Sequence, residues 1–145
     1  MERLKILVVE DSQSDVDLAL EAFEHTGFDG DLRICVDGEE ALKYLLRKEG
    51  YTNSPRPDLI LLDINLPKAN GFEILEEVKS DDNLKHIPVI VVSTSDSPDD
   101  VYRSYSKHAN AYVVKPSNLD GYFELVYSLK RFWLDSVSYS NSVEK

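Results

Sequence analysis

The sequence predicts an α/β domain: five parallel strands in a doubly wound sheet, covered by five helices. Two observations carry this. Short aliphatic runs alternate with longer amphipathic segments, the order expected of parallel strands joined by crossover helices. Residues 6–9, 59–62 and 89–92 are continuously apolar, as strands covered on both faces are. The 145 residues suit one domain, and 42% hydrophobic against 30% charged residues suits a globular chain.

The elements follow in order. Residues 6–9 form the first strand, closed by Glu10 and Asp11. Ser14 and Asp17 have the spacing of a capping box, and Val16, Ala19, Leu20 and Phe23 the spacing of the next helix, with Gly27 as its stop. Leu32, Ile34 and Val36 alternate with Arg33 and Cys35, which reads as a half-exposed edge strand. Asp37 and Gly38 make a turn, and Ala41, Leu42, Leu45 and Leu46 stripe the second helix. Residues 50–57 hold a run of turn formers before the strand 59–62. Phe72, Leu75 and Val78 mark the third helix, and Pro88 leads into the strand 89–92. Val101, Tyr105 and His108 mark a weaker fourth helix, residues 112–114 the fifth strand and residues 118–134 the fifth helix.

Composition narrows the function. Sixteen basic against 27 acidic residues give a net charge of −11, with no basic patch for nucleic acid. The longest aliphatic runs are far shorter than the roughly 20 residues of a membrane helix. The N-terminus lacks a signal-peptide pattern, so a cytoplasmic location is expected. Cys35 is the sole cysteine, and His25, His86 and His108 are scattered, so neither type forms a metal site.

The polar groups at the strand ends carry the chemistry. In a doubly wound sheet the carboxyl ends of the strands meet at one crevice. Glu10 and Asp11 follow the first strand, Asp63 the third, Ser93 and Thr94 the fourth, Lys115 and Pro116 the fifth. A lone Asp there is ordinarily a turn former or helix cap, and a lone Lys-Pro is loop punctuation. All four together, in this order, point to a shared site. Clustered carboxylates suit a hard divalent cation such as Mg²⁺. Lys115 adds a compact positive charge and Ser93 a neutral hydrogen bond. The set fits transfer of a phosphoryl group to a carboxylate.

These segments resemble a family. Residues 6–11, 59–67, 88–94 and 112–116, with Gly71, resemble a two-component response regulator, specifically a single receiver domain with a flavodoxin-like fold. The spacings agree: 52 residues from Asp11 to Asp63, 30 from there to Ser93 and 22 more to Lys115. The resemblance implies that Asp63 accepts the phosphoryl group from a sensor histidine kinase. It implies that Glu10, Asp11, Asp63 and the Asn65 carbonyl hold Mg²⁺, and that Lys115 contacts the phosphoryl oxygens. It makes Ser93 and Tyr112 the switch pair and Pro116 a candidate for a cis bond. Thr94 stands where the family often has a smaller residue, which bears on the lifetime of the acyl phosphate. The loop 48–58 and residues 119–134 further resemble regulators that partner bacterial phytochromes, implying a phytochrome-type kinase. Residues 1–135 are then the receiver domain and residues 136–145 a flexible C-terminal tail, with no fused output domain expected.

Other functions leave distinguishing marks. An aspartyl phosphohydrolase of the haloacid-dehalogenase type needs a second Asp two positions after the nucleophile, where Asn65 stands. A flavodoxin-like cofactor carrier needs a Ser/Thr/Gly-rich loop after the first strand, where Glu10 and Asp11 stand. A scaffold that never uses its phosphorylation would not need the full site. Finally, Tyr122, Val126, Leu129 and Trp133 stripe the fifth helix, while Phe123, Leu125, Tyr127, Phe132 and Leu134 lie off the stripe. Apolar residues around most of a helix imply burial on more than one side. A homodimer is expected through this region, with Tyr122, Phe123, Tyr127, Phe132 and Trp133 at the interface.

Overall fold

The computed structural model describes residues 3–139. The strands are β1 (Leu4–Val9), β2 (Gly30–Cys35), β3 (Leu59–Leu62), β4 (Val89–Ser93) and β5 (Ala111–Val114). The helices are α1 (Gln13–His25), α2 (Gly38–Leu45), α3 (Gly71–Ser80), α4 (Pro98–Ser106) and α5 (Leu119–Leu129). All strand pairs are parallel, in the order β2-β1-β3-β4-β5. The chain leaves β1 for β2 on one side and returns to β3 on the other. The crevice of such a sheet therefore lies at the carboxyl ends of β1 and β3.

Strand alternation divides the core in two. Leu7, Val9, Ile60, Leu62, Val89 and Val91 point to one face, where Tyr44, Leu45, Phe72, Leu75 and Val78 of α2 and α3 cover them. Ile6, Val8, Leu59, Leu61 and Ile90 point to the other, under Phe23, Tyr122, Val126 and Leu129 of α1 and α5. Burial on both faces is why the central strands read as unbroken apolar runs. The edge strand β2 alternates as expected but stops at Cys35, which is buried, while Val36 beyond it is exposed.

Every α-helix opens on a side-chain cap: Ser12, Asp37, Asn70, Ser97 and Asn118 each accept the backbone N–H three residues on. The cap of α1 is thus Ser12, two residues before the expected Ser14. Gly27 closes that turn at φ +74°, a left-handed conformation suited to glycine. Helix α4 ends at Ser106, and His108, expected on its stripe, lies beyond it with φ +73°. The buried residue of α4 is Ser104, whose hydroxyl donates to the Asp100 carbonyl, so the expected stripe of Val101, Tyr105 and His108 misreads the inward face.

Beyond α5 the chain continues as a wide π-helical turn, Lys130–Leu134, in which Asp135 N–H donates to the Lys130 carbonyl. Tyr139 then packs back on the α1–α5 layer and donates its hydroxyl to the Trp133 carbonyl. Packing therefore runs past the boundary expected at residue 135. Residues 140–145 of the expected tail lie outside the described residues. Among the described residues no helix is long and apolar enough to cross a membrane.

Candidate phosphorylation site

Sheet register brings the strand-end groups together. Val9 pairs with Leu62, and the Asp63 N–H donates to the Val9 carbonyl at 3.0 Å, so Glu10 and Asp63 emerge side by side. Ser93 pairs with Val114, and the Lys115 N–H donates to the Ser93 carbonyl at 2.6 Å. Carboxylate oxygens of Glu10, Asp11 and Asp63 all lie within 4.8 Å of one another, Asp11 exposed and the other two buried. An all-oxygen donor set with anionic surplus fits a hard divalent cation.

Lys115 is the hub. Its side chain is 5% exposed, and Nζ lies 2.8 Å from Glu10 Oε1, 3.0 Å from Asp63 Oδ2 and 3.2 Å from Asp15 Oδ2. The three N–H donors of an ammonium meet three carboxylates. Burial alone would favour the neutral amine, but Glu10 and Asp63 outweigh it and raise the lysine pKa above its ordinary value. Burial pushes Glu10 up to about 7, against the pull of Lys115 and of the Ser12 N–H. For Asp15 burial is overcome by Lys115, with help from Ser12 and Tyr122, so its carboxyl sits below the ordinary range.

The Asp63 carboxylate is held at both oxygens. Asn65 N–H donates to Asp63 Oδ1 at 3.0 Å, and Lys115 holds Oδ2. The β3–α3 loop is tight: a Cβ on Gly71 would fall 2.4 Å from the Ile64 Cα and 2.5 Å from the Asp63 carbonyl oxygen. Ser93 is fully buried, and its Oγ accepts the Ser95 N–H at 3.2 Å. Tyr112 donates its hydroxyl to the Ser95 carbonyl at 2.7 Å, while its own N–H donates to the Tyr105 hydroxyl. The two expected switch residues thus grip the same short loop. Thr94 is exposed beside Ser93.

Two expectations need correction. The peptide bond before Pro116 is trans, as are all bonds among the described residues. Trans is the default even before proline, with cis at only about 5%, so the cis expectation rested on resemblance alone. Tyr122 is 4% exposed and faces the core, so it is unavailable for an intermolecular interface. Its hydroxyl donates to Asp15 Oδ1 at 3.0 Å. Asp15 is the site residue that the sequence reading missed. The signal was the alternative capping register, Ser12 to Asp15, which places this carboxylate in the first turn of α1.

A parallel sheet with its strands in this order, an acidic cluster meeting a buried lysine at its crevice, and a serine at the end of the neighbouring strand together mark a receiver. The chain belongs to the response regulator receiver domain family, which residues 6–127 match. It is 46% identical over 133 residues to response regulator Rcp1 of Synechocystis sp., covering 92% of this chain and 90% of that protein. The crystal structure of the phosphorylated cyanobacterial phytochrome response regulator RcpA superposes with a TM-score of 0.91 at 42% identity, covering 97% of this chain and 100% of that one. The Mn²⁺-bound form of Rcp1 superposes with a TM-score of 0.88 at 45% identity, covering 94% and 98%. The chain is therefore the receiver of a response regulator, homologous to phytochrome response regulators.

Proposed function

We propose that Asp63 accepts a phosphoryl group from the phosphohistidine of a phytochrome-type sensor kinase, and that Mg²⁺ is required. The observation behind the acceptor is its double restraint: a buried carboxylate with Asn65 N–H on one oxygen and Lys115 on the other. The restraint aims a carboxylate oxygen at incoming phosphorus. The new P–O bond forms as the P–N bond to the kinase imidazole breaks. The imidazole nitrogen keeps the bonding pair. Lys115 offsets charge on the phosphoryl oxygens as a fixed donor. Glu10, Asp11, Asp63 and the Asn65 carbonyl are the groups that would hold Mg²⁺, which supplies further neutralisation of that charge. The chain promotes its own phosphorylation, and water attack on the acyl phosphate resets it. Similarity to the phytochrome response regulator RcpA supports a phytochrome-type donor, and the exposed aromatics Tyr127 and Phe132 make a homodimer the expected assembly.

Intact-mass measurement after incubation with acetyl phosphate tests the acceptor. The wild-type chain should gain one phosphoryl mass with Mg²⁺ and none in excess chelator, and Asp63→Asn should gain none. Labelling of Asp63→Asn would move the acceptor elsewhere. Phosphotransfer timed against each histidine kinase of the source organism tests the donor, the fastest transfer being expected from a phytochrome.

A further inference from the structure

Asp15 stands outside the acidic group that could hold a cation, yet it reaches the lysine. Several observations set it apart. Ser12 caps α1, but the reciprocal bond of a capping box is absent, because the Ser12 N–H donates to Glu10 Oε2 instead. The Asp15 carboxylate is thereby left to turn toward the crevice. There its two oxygens have different partners: Oδ2 meets Lys115 Nζ at 3.2 Å and Oδ1 accepts the Tyr122 hydroxyl at 3.0 Å. Tyr122 is locked in the core by Phe23, Val126 and Leu129, so its hydroxyl is a fixed anchor.

The consequence lies in how Lys115 shares its donors. They go to Glu10, Asp63 and Asp15. Glu10 is also a candidate cation ligand, and a carboxylate oxygen engaged by a cation is a weaker partner for an ammonium. A long, flexible and buried lysine that loses one of three partners can drift from the acceptor. Asp15 is the partner that remains. We propose that Asp15, anchored by Tyr122, is a positioning residue that keeps the Lys115 ammonium on Asp63 when Glu10 serves the cation. The chain from Tyr122 through Asp15 to Lys115 also ties α5 and α1 to the acceptor. This role rests on Asp63 being the phosphorylation site.

The test is a double-mutant cycle on the labelling rate with acetyl phosphate at saturating Mg²⁺, beside Mg²⁺ affinity by calorimetry and thermal melting of the metal-free proteins. Asp15→Ala should slow labelling about tenfold, the low end for loss of a residue that orients a ligand-contacting group. Tyr122→Phe keeps the buried ring and should slow it several-fold less. In the Asp15→Ala background Tyr122→Phe should have no further effect on rate, since the hydroxyl then has nothing to anchor. Mg²⁺ affinity should be unchanged in all three variants, since Asp15 stands outside the group that could hold the cation. Asp15→Glu, which restores the charge, should recover part of the rate. Equal or faster labelling of Asp15→Ala overturns the proposal. So does an equal, additive effect of Tyr122→Phe in both backgrounds, or a rate loss that a matching loss of Mg²⁺ affinity fully explains. A wild-type chain that takes no label overturns the phosphorylation reading as well, whereas a labelled wild type with an unaffected Asp15→Ala variant overturns the positioning role alone.

Discussion

Glu10 titrates at about 7, against 4.5 for an ordinary glutamate, because burial disfavours its charge more than Lys115 favours it. The folded chain therefore binds this proton more tightly than the unfolded one. The stability it contributes is complete below pH 4.5 and is lost as pH rises through about 7. A cation needs the ionised form, so proton and metal compete at Glu10. Divalent-metal affinity should rise with pH up to about 7 and level off above. Calorimetric Mg²⁺ titrations in buffers of differing ionisation enthalpy check this. Proton release should be clear near about pH 6 and fade near about pH 8, and should be absent in Glu10→Gln. Unchanged affinity across that range would mean that Glu10 is ionised throughout. Cys35 illustrates the opposite use of burial, since the same penalty pushes its thiol up to about 12, leaving an inert core residue. The sequence named Glu10, Asp63, Ser93 and Lys115 because each directly follows an apolar run, and Asp11 as the neighbour of Glu10, a one-dimensional cue. Asp15 has no such cue. Its role depends on which serine caps α1 and on a tyrosine 107 residues away.

The elements meet the site through two loops. The β3–α3 loop depends on Gly71, whose missing side chain lets the α3 N-terminus close on the backbone of Asp63 and Ile64. Gly71→Ala forces a Cβ into backbone that has little room to yield. It should cost about 1–3 kcal/mol, as overpacking does, and should slow phosphorylation by shifting Asp63. Melting and labelling rates measured together check this, and a stable variant that labels normally would show that the loop can relax. The β4–α4 loop is held by Ser93 through the Ser95 N–H and by Tyr112 through the Ser95 carbonyl. If Ser93 turns its hydroxyl to a phosphoryl group, the Ser95 N–H loses its partner, and Tyr112 and Tyr105 feel the loop move. Hydrogen exchange with and without beryllofluoride should therefore change most over residues 94–97, α4 and β5. No change there would break the coupling. The central strands were legible because a doubly buried strand has a strong signature, whereas α4 was legible as a helix but not in which face it turns inward. It is short, it buries a serine, and Tyr102 and Tyr105 are exposed. A hydrophobic stripe locates the inward face only where the residues facing inward are apolar.

At the scale of the whole molecule, the apolar excess of α5 is partly used within the chain. Tyr122, Val126 and Leu129 face the sheet, and Phe123 stacks on His25 of α1 with ring centroids 4.6 Å apart. Tyr139 covers part of the same layer. What remains outward is Tyr127 and Phe132, 45% and 58% exposed, with Trp133 half-buried and edge-on to Phe132. Exposed aromatics at a helix end are the residue type enriched in interface cores, and a two-fold dimer is the commonest way to cover them. Charge works against such a dimer. Two chains of net charge −11 repel at long range, and salt screens that repulsion over about 8 Å at physiological ionic strength. An interface built on Phe132 and Trp133 should therefore tighten as salt rises, the opposite of one built on ion pairs. Light scattering at micromolar concentration, at low and high salt, should report a dimer mass that is better populated at high salt. The pair Phe132→Asp, Trp133→Asp should give a monomer that still takes a phosphoryl group, since neither residue reaches the site. A monomer mass for both the unphosphorylated and phosphorylated wild type would defeat the dimer. A persistent dimer in the double variant would move the interface elsewhere, with exposed Tyr102, Tyr105 and Val114 on α4 and β5 as one further group of large apolar side chains among the described residues.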